Sequence, residues 1–98
     1  MYQAAAAQEV DVISAFSTDG RIAAFELRLL EDDLGVSPPY DALVLVGPRA
    51  AREHAGLVAV LRELEGVLDE SAMQRLNLEV DAEGRAPRQV ARALLDQE

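Results

Sequence analysis

Hydrophobic residues follow two different patterns along the chain, and the change lies near its middle. Short apolar runs with β-branched residues dominate the first half, whereas apolar residues recur every three or four positions in the second half. The first pattern is typical of strands and the second of amphipathic helices. The pattern therefore predicts an α/β chain in which a few strands precede a C-terminal group of helices.

Three segments carry the strand pattern: residues 9–16, 27–30 and 41–46. The third is a nearly continuous apolar run, which suits a strand that is covered on both faces. Because three strands are few for one sheet, some strand edges are expected to lack partners.

Helices are predicted in the remaining segments. Residues 2–8 are rich in alanine, and Thr18 or Asp19 can cap a short helix over 21–25. Pro48 suits the first turn of another short helix. Further helices are predicted over 57–68, from the apolar spacing, over 70–80, where Asp69 is the cap, and from Pro87 onward.

A break separates the two halves at E-D-D-L-G-V-S-P-P-Y, residues 31–40. Gly35 permits a turn, and the two consecutive prolines fix their φ angles and hold the preceding residues extended. This segment is expected to be a stiff connector. The chain is therefore divided into residues 1–36 and 37–98, which need not share one core.

Composition excludes several classes of function. The chain has 98 residues and a formal net charge of −9. Binding to nucleic acid or to anionic lipid requires clustered Lys and Arg, so neither partner is expected. The chain lacks cysteine, which rules out disulfides and thiolate catalysis and leaves the redox compartment open.

No residue pattern indicates catalysis, a metal or a cofactor. His54 is the single histidine, and a histidine on a helix surface is usually not functional. The acidic triplet 31–33 lacks the alternating spacing of a calcium loop, so a solvated turn is the simpler interpretation. Asp69 and Glu70 are explained as helix-start residues. The chain is not expected to be an enzyme.

The sequence offers little information on targeting. No segment is long and apolar enough to span a bilayer. The first residues lack a basic region and include Glu9, so they do not form a signal peptide. The expectation is a cytoplasmic protein or a chain that begins inside a longer one.

The order of motifs resembles a family, the substrate-binding proteins of ABC importers for glycine betaine, choline and related compatible solutes. The similar stretches are EVDVISAFSTDGRI at 9–22, LLEDDLGVSPPY at 29–40, LDESAMQRLNLEVDAEG at 68–84 and VARALL at 90–95. In this order they cover nearly the whole chain, and they resemble the C-terminal part of such a protein.

The resemblance implies a partial periplasmic-binding-protein type II-like fold with two lobes that close on the ligand. Residues 1–36 would be the end segment of lobe two, and residues 37–98 the hinge and the return segment of lobe one. The missing strand partners would then belong to an N-terminal portion.

The resemblance also implies an aromatic cage for a quaternary ammonium ligand. Phe16, in a motif where relatives usually carry tyrosine, and Tyr40 correspond to two cage positions. Ser17, Thr18 and Asp19 are candidates for contacting the ligand or orienting the loop, although helix capping alone also explains them. Arg21 is expected to be a surface or inter-lobe partner.

The expected function is a part of an extracytoplasmic, membrane-associated binding domain that delivers glycine betaine, choline or a similar solute to an ABC permease. The alternative is a structural module that does not bind ligand and pairs with itself or with the missing N-terminal half. Unpaired strand edges would favour such self-association.

Overall fold

A computed structural model describes residues 1–97 of the chain. These residues form six helices: α1 (Tyr2–Ala6), α2 (Gly20–Ala24), α3 (Pro48–Glu53), α4 (Leu57–Arg62), α5 (Glu70–Asp81) and α6 (Pro87–Leu95). Each lies where the residue pattern predicts a helix. None of the helices in the described part of the chain is long and apolar enough to cross a membrane.

The predicted helix starts are confirmed. The Asp19 carboxylate accepts a hydrogen bond from the Arg21 backbone N–H at the start of α2. At the start of α5, Asp69 Oδ1 accepts one from the Ala72 N–H at 2.6 Å. Pro48 and Pro87 occupy the first turns of α3 and α6, where a missing N–H costs no helical hydrogen bond.

Helix α4 is shorter than predicted, because it ends at Arg62 although the apolar spacing continues to Leu68. The next residues form successive turns in which N–H groups bond to carbonyls three residues earlier, as Leu64 does to Leu61. Leu64 and Leu68 remain exposed. Without burial of its apolar face a short helix has little support.

The predicted strands are wrong for residues 1–97, since none of them forms a strand or a bridge. Segments 9–16, 27–30 and 41–46 are irregular, so this structure does not confirm the α/β class. A strand is stable only when a neighbour satisfies its backbone groups. These three segments do not pair with one another, and alternating or apolar side chains cannot replace a hydrogen-bonding partner.

The chain divides into two compact units. Unit 1 comprises Met1–Leu29 and the segment from Asp69 onward, and unit 2 comprises Leu30–Leu68. Unit 1 thus combines residues from both sides of the predicted break. The lobe boundary itself concerns the larger protein and stays a prediction.

Unit 1 contains α1, α2, α5 and α6. Helix α5 packs against both α2 and α6. The buried hydrophobic residues are Tyr2, Ile22 and Val90, one each from α1, α2 and α6. This small core brings the beginning of the chain onto the helices that follow residue 69.

Unit 2 contains α3 and α4, which contact each other, and none of its residues is buried. Its apolar run at 41–46 is largely solvent-exposed, and Leu45 is 88% exposed. A run that suits a covered strand therefore lies uncovered in this structure.

Candidate ligand-binding loop

The predicted site lies on a short loop that leads into α2, residues 16–19, here called the Phe16 loop. A hydrogen bond from the Asp19 N–H to the Phe16 carbonyl, 3.1 Å, closes the loop into a turn. The Phe16 residue is 65% exposed. The turn therefore leaves an aromatic residue at the surface of unit 1.

The Asp19 carboxylate is the centre of a hydrogen-bond network. Its Oδ1 accepts from the Arg21 backbone N at 2.9 Å and from Arg21 Nε at 3.0 Å. Its Oδ2 accepts from Arg21 Nη2 at 2.7 Å and from the Tyr2 hydroxyl at 3.0 Å. Both oxygens are thus engaged within the protein, and one residue combines helix capping with an ion pair.

Arg21 also stacks on the aromatic ring of Tyr2. Its guanidinium carbon lies 4.1 Å from the ring centroid, within the range of a cation–π interaction. The network links α1 to the start of α2, since Tyr2 is 17 residues from Asp19. Arg21 is therefore a partner within unit 1, rather than an isolated surface charge.

The network shifts the pKa values of its members. The hydrogen bonds from the Arg21 side chain hold the pKa of Asp19 well below its usual range, although partial burial opposes this. Burial raises the pKa of Tyr2, and its hydrogen bond to Asp19 acts in the same direction. Asp19 is therefore a stable anion at neutral pH and Tyr2 a neutral donor.

Two side-chain amides of α5, a helix more than 50 residues later in the chain, bind the Phe16 loop. Gln74 Nε2 donates to the Ser17 carbonyl at 2.5 Å, and Asn77 Nδ2 donates to the Thr18 carbonyl at 2.7 Å. These partners are 57 and 59 residues apart in the chain. The Phe16 loop is thus attached to α5 through its backbone.

Tyr40 lies in unit 2 and is 84% exposed. It follows a turn in which the Asp32 carboxylate accepts hydrogen bonds from the N–H groups of Val36, at 3.0 Å, and Ser37, at 2.6 Å. These bonds lower the pKa of Asp32. One member of the acidic triplet thus closes the turn before the prolines.

The predicted site residues fall into two groups. Ser17, Thr18 and Asp19 belong to the hydrogen-bonded loop in unit 1, where their hydrogen bonds join the loop to α5 and α1. Phe16 and Tyr40 are exposed aromatic residues of different units. A role of any of the five in ligand binding stays a prediction.

Sequence reasoning missed Tyr2, Gln74 and Asn77. No local signal identifies them, because their partners are distant in the chain and a glutamine or asparagine inside a helix has no distinctive spacing. Within residues 1–97, no group of three His, Cys, Asp or Glu side chains could hold a metal ion.

Comparison with known proteins agrees with the resemblance in the residue motifs. Residues 1–97 match the OpuAC family, described as the substrate binding domain of the ABC-type glycine betaine transport system. The carnitine transport binding protein of Listeria monocytogenes is 37% identical over 95 residues. The glycine betaine-binding protein of Escherichia coli K12 is 34% identical over 96 residues.

A solved structure is similar over almost the whole chain. The crystal structure of a glycine betaine/carnitine/choline ABC transporter matches with a TM-score of 0.94 and 40% identity, covering 98% of this chain and 35% of that one.

The chain spans about a third of these relatives. The matches cover 97% of this chain and 31% of the Listeria protein, and 95% of this chain and 32% of the Escherichia protein. The family is one of transport binding proteins and not of enzymes. The chain belongs to the family of substrate-binding domains of ABC-type glycine betaine transport systems.

Proposed function

We propose that the chain supplies part of the ligand cleft of a binding protein for quaternary ammonium solutes such as glycine betaine or choline. The observation that carries the proposal is an exposed aromatic residue, Phe16, on a loop in which three successive backbone carbonyl groups accept hydrogen bonds. The ligands named for the similar proteins support this ligand class.

The chemistry of the ligand explains why aromatic residues would bind it. An ammonium group that carries only methyl groups or carbon chains has no N–H to donate, so a hydrogen-bond acceptor gives it no specific contact. The negative face of an aromatic ring attracts such a cation, by about 0.5–2 kcal/mol per contact. Phe16 and Tyr40 are the two residues that we assign to this cage.

Asp19 is assigned a supporting role. Four hydrogen bonds already engage its carboxylate, and releasing it for the ligand would leave the Tyr2 hydroxyl and the Arg21 guanidinium without this partner. The Arg21 guanidinium neutralises the charge of Asp19. Asp19 therefore orients the loop by capping α2 and does not itself bind the ligand.

In the larger protein, residues 1–36 would close lobe two, and residues 37–98 would form the hinge at S-P-P-Y and return into lobe one. Binding would proceed by closure of the two lobes around the hinge. The closed protein would deliver its solute to an ABC permease on the extracytoplasmic side of the membrane. No chemical step is required.

The test replaces the matching third of the Listeria carnitine transport binding protein by residues 1–98. Calorimetry with glycine betaine, choline and carnitine then compares this chimera with its Phe16→Ala and Phe16→Tyr variants. Loss of one aromatic contact is expected to weaken binding by about 2- to 30-fold, whereas tyrosine retains it.

Leu34→Ala is the matched control, because Leu34 is an exposed apolar residue outside the proposed cage. Equal affinities of the Phe16→Ala and Leu34→Ala chimeras would reject the cage. The 98-residue chain alone is expected to bind these solutes weakly or not at all, since it supplies only part of the cleft. Micromolar binding by the isolated chain would contradict the proposal that it supplies only part of the cleft.

The uncovered apolar run of unit 2 favours a second candidate function, an assembly module that pairs with itself or with the remainder of a binding protein. Leu43, Val44 and Leu45 are all mostly exposed, and exposed apolar segments promote association. Light scattering of the isolated chain is expected to show association that Val44→Asp reduces. A well-folded monomer at high concentration would exclude self-pairing.

A further inference from the structure

Gln74 and Asn77 lie one turn apart on α5 and donate to two successive carbonyl groups, those of Ser17 and Thr18. We propose that these two amides are positioning residues, which determine the direction in which Phe16 points and thereby the affinity for a quaternary ammonium ligand. This inference rests on the proposed function and assigns a role to residues remote from Phe16 in the sequence.

Three successive backbone carbonyl groups of the Phe16 loop accept hydrogen bonds. The Phe16 carbonyl accepts from the Asp19 N–H at 3.1 Å, the Ser17 carbonyl from Gln74 and the Thr18 carbonyl from Asn77. Three consecutive peptide planes are thus oriented. Since φ and ψ are the only soft backbone torsions, these bonds restrict the backbone that carries the Phe16 side chain.

Helices α2 and α5 approach each other closely at Gly20. A Cβ atom at Gly20 would lie 2.6 Å from the Leu78 backbone N and 2.9 Å from the Asn77 carbonyl carbon. Only glycine allows this approach without displacement. The short Asn77 side chain reaches the Thr18 carbonyl because Gly20 lets the two backbones meet.

The end of the loop at Asp19 is held by residues other than the α5 amides. The Tyr2 hydroxyl and the Arg21 guanidinium bind the Asp19 side chain, whereas the α5 amides bind backbone carbonyls. Loss of an α5 amide therefore leaves the cap of α2 intact. The expected effect is local disorder in the Phe16 loop and not unfolding of unit 1.

The first arm of the test measures amide hydrogen exchange in the 98-residue chain. Asn77→Asp and Gln74→Glu keep the size of each side chain and replace the N–H donor by an oxygen that faces a carbonyl. Exchange of the Asp19 amide is expected to accelerate about tenfold. The Val90 amide in α6, which bonds to the Ala86 carbonyl, should change less than twofold.

Gln89→Glu makes the same chemical change at an exposed position of α6 and controls for the added charge. The positioning role is overturned if the Asp19 amide keeps its rate in both α5 variants. It is also overturned if the Asp19 and Val90 amides accelerate equally, since that result shows only global destabilisation. The milder Gln74→Glu variant preserves the test if Asn77→Asp does not fold.

The second arm measures glycine betaine affinity in the chimera described above. Asn77→Asp is expected to weaken binding about tenfold, and Gln89→Glu to leave it unchanged. Binding that survives Asn77→Asp within twofold, but is lost in Phe16→Ala, overturns the positioning role and leaves the cage intact. If Phe16→Ala binds normally, the cage fails, and the exchange rates alone decide whether α5 orients the loop.

Discussion

Units 1 and 2 both contain apolar runs that stay largely exposed, yet only unit 1 has buried residues, and these lie on its helices. In unit 1, α5 packs against α2 and α6, Ile22 of α2 is 4% exposed, and side chains of α5 bond to carbonyl groups more than 50 residues away. In unit 2 the run at 41–46 lies in solvent. Burial therefore depends on whether a partner surface is available, and not on apolar content alone.

The difference also separates the two proposed cage residues. Phe16 belongs to a loop that distant residues hold by hydrogen bonds. Tyr40 follows a turn in which Asp32 accepts bonds from residues four and five positions later. Local bonds define a turn, but only long-range bonds place that turn on a surface. The predictions below test this contrast, beginning with the largest expected effect.

Ile22→Ala is expected to destabilise unit 1 by about 2–5 kcal/mol, because it removes a buried side chain and leaves a cavity in a small core. Leu45→Ala in unit 2 is expected to change stability by less than about 0.5 kcal/mol, since Leu45 is exposed. Urea unfolding followed by helical circular dichroism measures both. Equal effects would mean that the two units do not differ in packing.

Gly20→Ala is expected to cost about 1–3 kcal/mol, because its Cβ would lie 2.6 Å from the Leu78 backbone N. Gly56→Ala is the matched variant in unit 2, since nothing lies within 4 Å of a Cβ there and its φ is −90°. Its stability should change by about 0.5 kcal/mol at most. Thermal unfolding measures the stability of the two variants. Unchanged stability of Gly20→Ala would refute the close contact between α2 and α5.

Asp19→Asn is expected to cost about 1–2 kcal/mol at pH 7, through the loss of charge-assisted bonds to Arg21. The folded pKa of Asp19 lies below its unfolded value of about 3.9. Its stabilisation is therefore complete above that value and is lost as the pH falls toward the lowered pKa. Unfolding of both proteins between pH 7 and pH 2 measures this.

The stability difference between wild type and Asp19→Asn should begin to shrink below about pH 4 and should fall further as the pH approaches the lowered pKa. Asp11→Asn, at an exposed position before the loop, is the control and should follow wild type at neutral pH. A stability gap between wild type and Asp19→Asn that does not shrink between about pH 4 and pH 2 would show that charge is not its cause.

Asp32→Ala is expected to have the smallest effect, confined to the turn in unit 2. The amides of Val36 and Ser37 lose their acceptor and should exchange several times faster, while the helices of unit 1 are unaffected. Because the pKa of Asp32 is lowered by these bonds, acidification should produce the same change. Asp33→Ala is the control, and a slowed exchange or a response in unit 1 would contradict the prediction.

The sequence was a good guide to helices and a poor guide to strands. Asp19, Asp69, Pro48 and Pro87 each act within one helical turn, so their effects follow from neighbouring residues. The strands required partners that the residue pattern cannot supply, and α4 ended early because Leu64 and Leu68 are not buried. The strand predictions were therefore wrong because the segments lack neighbouring strands to pair with.

The sequence likewise predicted some residues of the candidate site and not others. The motif around Phe16 pointed to the loop and to the family, and Asp19 was predicted as a cap and as a candidate for orienting the loop. Tyr2, Gln74 and Asn77 were invisible in the sequence, because their hydrogen bonds join residues 17 to 59 positions apart.

The sequence by itself determined the helix starts, the turn into α2 and the family, because each depends on short motifs in a given order. The tertiary structure decided which apolar residues are buried and which amides bind the Phe16 loop. Gly20 illustrates the division, because only the packing of α2 on α5 shows that its missing side chain is what lets Asn77 reach Thr18. Such contacts depend on distances across the fold, which no local pattern contains.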